Sequence, residues 1–563
     1  MNTYNPADAS VQIYCQNTNS YLSVSGGSSL LDIYNIVKDE IAFDPVNARV
    51  NNKAEDLNFR VYAPKTVEFM PVTSDSGYRT YIRSLCMMLY HAVNTLLPGC
   101  NIRIAHSLSR GYYCLIEGVG QKPDESLAER LEAHIRSLVE RDLPFVRHEL
   151  RTSDVIDIFE KQGLKYKALL LETTHEPYSA FYELDGLCDS YYGALVPRTG
   201  QLGVFRLIPY EEGLLLLGPD RQNPTVPATP VEQKKMYQAF TSYQAFNSIV
   251  GVKTVGEMNR AVEKGESPML INVAEALHNN RIATIADDIT ERFGRGDARI
   301  VLVAGPSSSG KTTFTKRLAI QLMTNLITPV MISLDDYFVD RHKTPVDETG
   351  DYDYESLYAL DLELFNEHLN ALLRGEEVEL PYYNFETGSR EFRGNKIRLA
   401  PDSILLIEGI HGLNPELTAG VDAKMKYHVY VSALTSIAID YHNWIPTTDN
   451  RLLRRMVRDA RYRGVAPAET IRRWTSVRRG EEKWIFPYQE NADAMFNSSL
   501  LFELGVMRHR AEPLLARVPH DIPEYAEAAR LHRFLSYFTP ISEEYIPSTS
   551  LIREFLGGSS FKY

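Results

Sequence analysis

Between Ile300 and Leu322 the chain passes from an apolar run through a glycine-bounded loop into a helix-forming stretch, and that order narrows the fold more than any other feature. Ile300-Val301-Leu302-Val303-Ala304 has the β-branched, apolar pattern of a central strand buried on both faces. Gly305, Pro306, Ser307, Ser308, Ser309, Gly310, Lys311 and Thr312 follow and fit GxxxxGK[ST] without adjustment, and Thr313 continues as a helix to Leu322. In such a P-loop the backbone N–H groups surround phosphate oxygens at the positive end of the helix. Lys311 is placed to neutralise the β- and γ-phosphates and Thr312 to ligate Mg²⁺. The pattern predicts ATP and Mg²⁺ as ligands, with residues 305–313 on the nucleotide.

From Arg299 onward strands and helices alternate, the signature of a mostly parallel α/β sheet. Pro329–Leu334 runs into Asp335-Asp336, and Ser403–Ile407 runs into Glu408-Gly409. In a parallel sheet the C-terminal strand ends converge on the ligand crevice, so these acids can reach the γ-phosphate and its metal. One would accept a proton from an attacking hydroxyl and another hold Mg²⁺ directly or through water. The plainer alternative is that each acid caps the helix after it. An arginine series follows at 451, 454, 455, 458, 461 and 463, in which 451, 455 and 458 share a helical face. Over a P-loop this reads as a lid whose guanidinium groups close on transferring phosphate, the alternatives being a solvated face or an RNA-binding patch. A formal charge of −13 makes RNA, and an anionic membrane surface, the poorer reading.

The length of 563 residues calls for roughly three or four domains. Residues 1–72 read as a small β-grasp-like module, with a hairpin of Val11–Tyr14 and Tyr21–Val24, a helix at Ser29–Val37, and strands at Ala48–Asn51 and Phe59–Tyr62. Residues 73–225 read as α+β, opening on a helix around Tyr81–Leu97 that Pro98-Gly99 stops, with strands at Gly111–Ile116 and Gly203–Ile208. Residues 226–296 read as a helical linker broken near Gly251 and Gly265–Pro268, 297–515 as the P-loop domain, and 516–563 as a C-terminal extension. Met1–Ser10 lacks a signal-peptide layout, and no apolar run approaches the roughly 18 residues of a membrane span. Five cysteines without a CxxC pair read as free thiols in a reducing compartment, so the expected address is the cytoplasm.

Several spaced motifs together resemble the uridine kinase and phosphoribulokinase family of P-loop kinases from about Arg299 to Leu515. They are the P-loop, Ser333–Phe338, Tyr352-Asp353, Pro381–Phe385, Ile407–Ile410 and Arg451–Gly464. The resemblance implies Asp335 as catalytic base, Glu408 as the acid organising Mg²⁺, and Arg455 and Arg458 as phosphate-clamping lid residues. It puts Asp353 where family nucleoside kinases hold ribose hydroxyls, and Tyr383 and Phe385 where they contact the base. Three nucleoside-contacting positions depart from the pattern: a histidine becomes Gly388, a lid arginine becomes Val465 and a glutamine becomes Arg473. A site that hydrogen-bonds its substrate discriminates through such groups, so the acceptor is less constrained than the chemistry. Arg473 could meet an anionic group on a substrate.

The first 72 residues, with Ala48–Lys53, also resemble a TGS domain, and residues 73–225 resemble the second additional domain of threonyl-tRNA synthetases. The two histidines of that domain's HxxxH motif fall on Arg83 and Met87, and Cys188 of its CxxxH motif is followed by Tyr192. Arg, Met and Tyr cannot assemble a hydrolytic metal site, so no editing activity is expected and His91 and His106 are read as packing or surface residues. The expected function is ATP-dependent phosphorylation of a small-molecule hydroxyl, with a nucleoside such as uridine or cytidine as leading acceptor. Another sugar-like or anionic alcohol is the alternative. A non-catalytic ATP-binding regulator that meets RNA or the ribosome through the TGS-like module is the rival of another class. A GTPase is not, because Asn395-Lys396 runs into Ile397-Arg398 rather than NKxD.

Overall fold

A computed structural model describes residues 10–348 and 350–563. The polar stretch read above for a signal peptide therefore lies almost wholly outside the described residues.

The first module is a five-stranded mixed sheet in the order 20–25, 10–15, 65–70, 47–50, 53–55. The expected hairpin forms, with Val11 opposite Val24 and Ile13 opposite Leu22, and Ser10–Cys15 pairs parallel to Lys65–Met70. Leu30–Val37 is helical, closed at its start by a reciprocal Ser29/Asp32 cap, and it buries Leu30, Ile33 and Val37 against Ile13, Val67 and Phe69. The segment expected as a strand at Phe59–Tyr62 contributes only Arg60–Val61, paired to Ser28–Ser29 outside the main sheet. Lys65–Met70 takes the sheet position instead.

In the next module the helix begins at Asp75, six residues before the expected start, because the Ser74 side chain accepts the Gly77 N–H and caps it there. It is buried almost continuously from Tyr78 to Val93. A four-stranded antiparallel sheet of Asn101–Leu108, Gly111–Glu117, Arg206–Tyr210 and Gly213–Leu217 lies beside it, the third strand starting three residues later than its sequence predicts. Helices Lys234–Val250, Val255–Glu263 and Ser267–Gly294 follow, separated at Gly251 and Gly265, whose φ values of +78° suit glycine.

The C-terminal half is built on five parallel strands in the order 328–333, 403–408, 300–304, 426–432, 494–497. Every residue of Ile300–Ala304 is buried, as a central strand requires. Val301 and Val303 face the helix Lys311–Thr324, while Ile300 and Leu302 face Phe365 and Leu369 of the helix Leu362–Leu373. The long helix Ser267–Gly294, expected within a linker, packs Ile282, Ile285 and Ile289 into the first of these layers. The C-terminal extension is equally committed to the core: Leu531, Phe534 and Leu535 join one cluster, Leu551 and Phe555 another.

A buried charged network ties the two halves together. Lys167 Nζ lies 2.8 Å from Asp189 Oδ1 and 3.0 Å from Asp440 Oδ1, and His442 Nδ1 lies 2.8 Å from Asp189 Oδ2. Each of these side chains is at most 3% exposed. His442 and Lys167 hold the Asp189 carboxyl far below the usual carboxylate range despite its burial.

Candidate active site

The loop between Ala304 and Lys311 turns because Gly310 adopts φ +85° at the helix cap, a conformation that costs glycine little. Lys311 opens the helix and its Nζ donates to Pro306 O at 3.1 Å, while Thr312 Oγ1 donates to Glu408 Oε1 at 3.2 Å. Register explains the second contact: Val303 is the strand partner of Glu408, so the acid leaves its strand beside the loop.

Asp335 leaves the adjacent strand in a short 3₁₀ turn and faces the same crevice. Desolvation pushes its pKa up, and Lys311, Arg463 and Arg458 oppose that rise. Desolvation and the neighbouring Asp335 together push Glu408 up to about 7, with Lys311 opposing. Asp336, by contrast, accepts the Tyr383 N–H at 3.3 Å and anchors the hairpin Glu377–Arg398.

The arginine helix, Thr447–Tyr462, divides its guanidinium groups between two tasks. Arg455 Nη1 donates to Ser307 Oγ at 2.9 Å, and Arg455, Arg458 and Arg463 gather around Asp459 at 3.4, 2.8 and 3.6 Å, beside the crevice. Arg451, read from its spacing as a lid residue, is 1% exposed and paired with Glu481 beneath the loop. Arg454 is likewise buried against Glu503, and it also donates to the carbonyls of Ser308 and Ser309. These two arginines brace the loop from behind.

Asp353 is half-buried, and its Oδ1 accepts the Glu355 N–H at 3.2 Å. Tyr383 is buried and Phe385 is exposed at the rim, their ring centroids 5.0 Å apart, with Phe338 5.5 Å from Tyr383. Gly388 adopts φ +70°, and a Cβ there would lie 2.7 Å from Arg341 Cζ, so any side chain would have to displace that guanidinium. Arg473 is not brought to the crevice. The helix Pro467–Trp484 turns Ile471, Trp474 and Val477 inward, which leaves Arg473 in solvent, paired with Glu469 at 2.6 Å.

Two groups at the site carry no sequence signal. Glu355 Oε2 is buried without a hydrogen-bond partner, and desolvation with the nearby Glu481 raises its pKa to about 7 against the pull of Arg455 and Lys311. Glu481 Oε1 accepts the Ser307 N–H at 3.1 Å, bringing a carboxylate to the loop itself. In the N-terminal half, Arg83 lies over the Tyr192 ring at 5.0 Å and Met87 is fully buried. His106 stacks on Phe240, its pKa pushed down to about 4 by burial, and His91 stacks on His134.

Residues 300–500 match the profile of the Phosphoribulokinase / Uridine kinase family. A uridine kinase of Halalkalibacterium halodurans is 31% identical over 199 residues, 35% of this chain and 84% of that protein. This chain belongs to the phosphoribulokinase and uridine kinase family. A uridine kinase of Staphylococcus aureus is 30% identical over 222 residues, 39% of this chain and 97% of its own length. The N-terminal region is similar to a different enzyme, the threonine–tRNA ligase of Rubrobacter xylanophilus, at 29% identity over 186 residues. That match takes in 33% of this chain but only 29% of the ligase. As a member of the family, the chain is a P-loop phosphotransferase, and its first two modules are TGS-like and editing-domain-like. Among the described residues no helix is long and apolar enough to cross a membrane.

Proposed function

We propose that the protein transfers the γ-phosphoryl group of ATP to the hydroxyl of a nucleoside, uridine or cytidine in the first instance. The observation that carries this reading is the convergence of Asp335 and Glu408, from adjacent parallel strands, on the Lys311–Thr312 end of the loop. The acceptor hydroxyl lies against Asp335, whose carboxylate takes its proton as the oxygen forms a bond to the γ-phosphorus. The bond from that phosphorus to the departing ADP oxygen breaks. Lys311, Arg455 and Arg458 stabilise the charge spread over the transferring group. The Thr312 hydroxyl and the Glu408 carboxylate are hard oxygen donors of the kind Mg²⁺ takes, and they sit at hydrogen-bond distance from each other. When bound there the ion supplies neutralisation of phosphate charge. Asp353 suits ribose hydroxyls, and the Tyr383–Phe385 rings suit the flat face of a base.

The Arg341 guanidinium over Gly388 favours a second reading, an alcohol that carries an anionic group. Purified protein with Mg-ATP and a panel of nucleosides and phosphorylated sugars separates the two by ADP release. Asp335→Asn should abolish acceptor-dependent turnover. ATP binding with no turnover on any acceptor would sink both readings and favour a nucleotide-bound regulator. The editing-like module is proposed to hydrolyse nothing, since Arg83 and Tyr192 stand in ion-to-ring contact where metal ligands would be needed.

A further inference from the structure

The chain returns to the P-loop at its C-terminus. Ser550 Oγ donates to the buried Glu275, Leu551 packs on Gly310, and Phe555 lies under the Arg454 guanidinium at 5.0 Å. This seats Glu554, itself 9% exposed, at the start of the P-loop helix, where its Oε2 accepts the Thr313 N–H at 3.2 Å and the Thr313 hydroxyl at 2.6 Å. The Tyr563 hydroxyl lies 2.9 Å from the same Thr313 Oγ1, and Lys316 donates to the Lys562 carbonyl.

Thr313 is the third residue of that helix, so its N–H has no partner within the helix and points toward the end where anions bind. A carboxylate satisfies it for the same electrostatic reason a phosphate would. Thr313 adjoins Thr312, whose hydroxyl donates to Glu408 at 3.2 Å, so Glu554 lies next to the crevice rather than in a remote pocket. Two anions cannot both take one N–H.

We propose that Glu554 is a built-in competitor of the nucleotide: its carboxylate holds the Thr313 donors that a nucleotide phosphate takes, and binding exchanges one for the other. The inference rests on the reading of the loop as the nucleotide site. The exchange releases the Glu554 carboxylate and loosens the turn around it while Leu551 and Phe555 stay packed in the core, so that turn reports nucleotide occupancy, and the strength of the Glu554 contact sets nucleotide affinity.

The test is the affinity of the full-length protein for ADP, measured by calorimetry on wild type, Glu554→Gln and Lys311→Ala. Glu554→Gln keeps the shape and removes the charge, and it should bind ADP at least about tenfold more tightly than wild type. A second measurement needs no variant: amide exchange at residues 551–557 of the wild type should quicken with saturating ADP. Equal or weaker binding by Glu554→Gln, or exchange that is unchanged or slowed by ADP, overturns the inference. If Lys311→Ala abolishes binding while Glu554→Gln binds ADP no more tightly than wild type, the loop holds nucleotide and only the tail's role falls. If neither wild type nor Glu554→Gln binds ADP, the nucleotide reading falls and this inference with it.

Discussion

Arg454→Met should destabilise the kinase half far more than Arg451→Met, although both arginines are buried beside the same loop. Arg454 is 0% exposed and Glu503 1%; without the guanidinium, Glu503 keeps, among the described residues, only the Leu500 N–H at 3.2 Å. Stranding a buried carboxylate in this way costs about 3–5 kcal/mol. Glu481 loses less when Arg451 goes, because Arg478 Nη1 remains at 3.2 Å and the Ser307 N–H at 3.1 Å. That loss is of the order of a charged hydrogen bond, about 1.5–3 kcal/mol. The assay is urea unfolding followed by tryptophan fluorescence. Trp474 and Trp484 lie within the kinase half, while Trp444 packs on Tyr112 of the N-terminal half, so a Trp444→Phe background confines the signal to the part perturbed. Arg451 sits over Trp474 at 5.3 Å, so its loss shifts the baseline, and unfolding free energies rather than amplitudes must be compared. The double variant Arg454→Met/Glu503→Leu should recover part of the loss, held back by Ser498 O, which also loses its donor at 2.9 Å. An Arg451→Met cost equal to or above that of Arg454→Met would refute the argument that surviving partners set the difference.

Glu355 supplies a pH test. Its folded pKa of about 7 lies above the ordinary 4.5, so between these values the folded state holds a proton that the unfolded state has released. Stability from this group is full below the lower value and falls as pH rises to the upper one. Glu355→Gln should flatten the decline of apo-protein stability in that window by up to about 1.4 kcal/mol per pH unit, read by denaturant titration; an unchanged slope would remove Glu355 from the account. Lys167→Met leaves Asp189 with His442 and the Ser190 N–H, and Asp440 with His442 and Asn443 donors, so it should lower stability by about 1.5–3 kcal/mol; a neutral outcome in thermal unfolding would mean the network is not closed in solution.

The placement of the candidate residues is legible where it rests on local pattern. The loop, its strand and its helix follow one another directly, and Asp335 and Glu408 stand at strand ends, where a parallel sheet must gather them. The partners that brace the loop were not legible. Glu481, Glu503 and Glu554 are among 73 acidic residues, and only folding brings them within reach of Ser307, Arg454 and Thr313. Spacing placed Arg451 on the lid face correctly as geometry, but a buried acid opposite claims it. Arg473 was misjudged because the inward face of its helix is set by Ile471, Trp474 and Val477, not by its distance from the lid. Lys65–Met70 carries no local signal of its place in the sheet, because that place is set by pairing with residues about fifty positions earlier in the chain.

The salt-linked cluster of Lys167, Asp189, Asp440 and His442 changes what counts as a part in this molecule. Its members come from both sides of the span around residue 300 where a kinase would be cut free: Lys167 and Asp189 from one side, Asp440 and His442 from the other. A kinase released at that point would carry the Asp440 carboxylate into water without its lysine, and the N-terminal half would expose Lys167 and Asp189. Cutting there would therefore cost the kinase the lysine that Asp440 uses and cost the N-terminal half the imidazole that Asp189 uses.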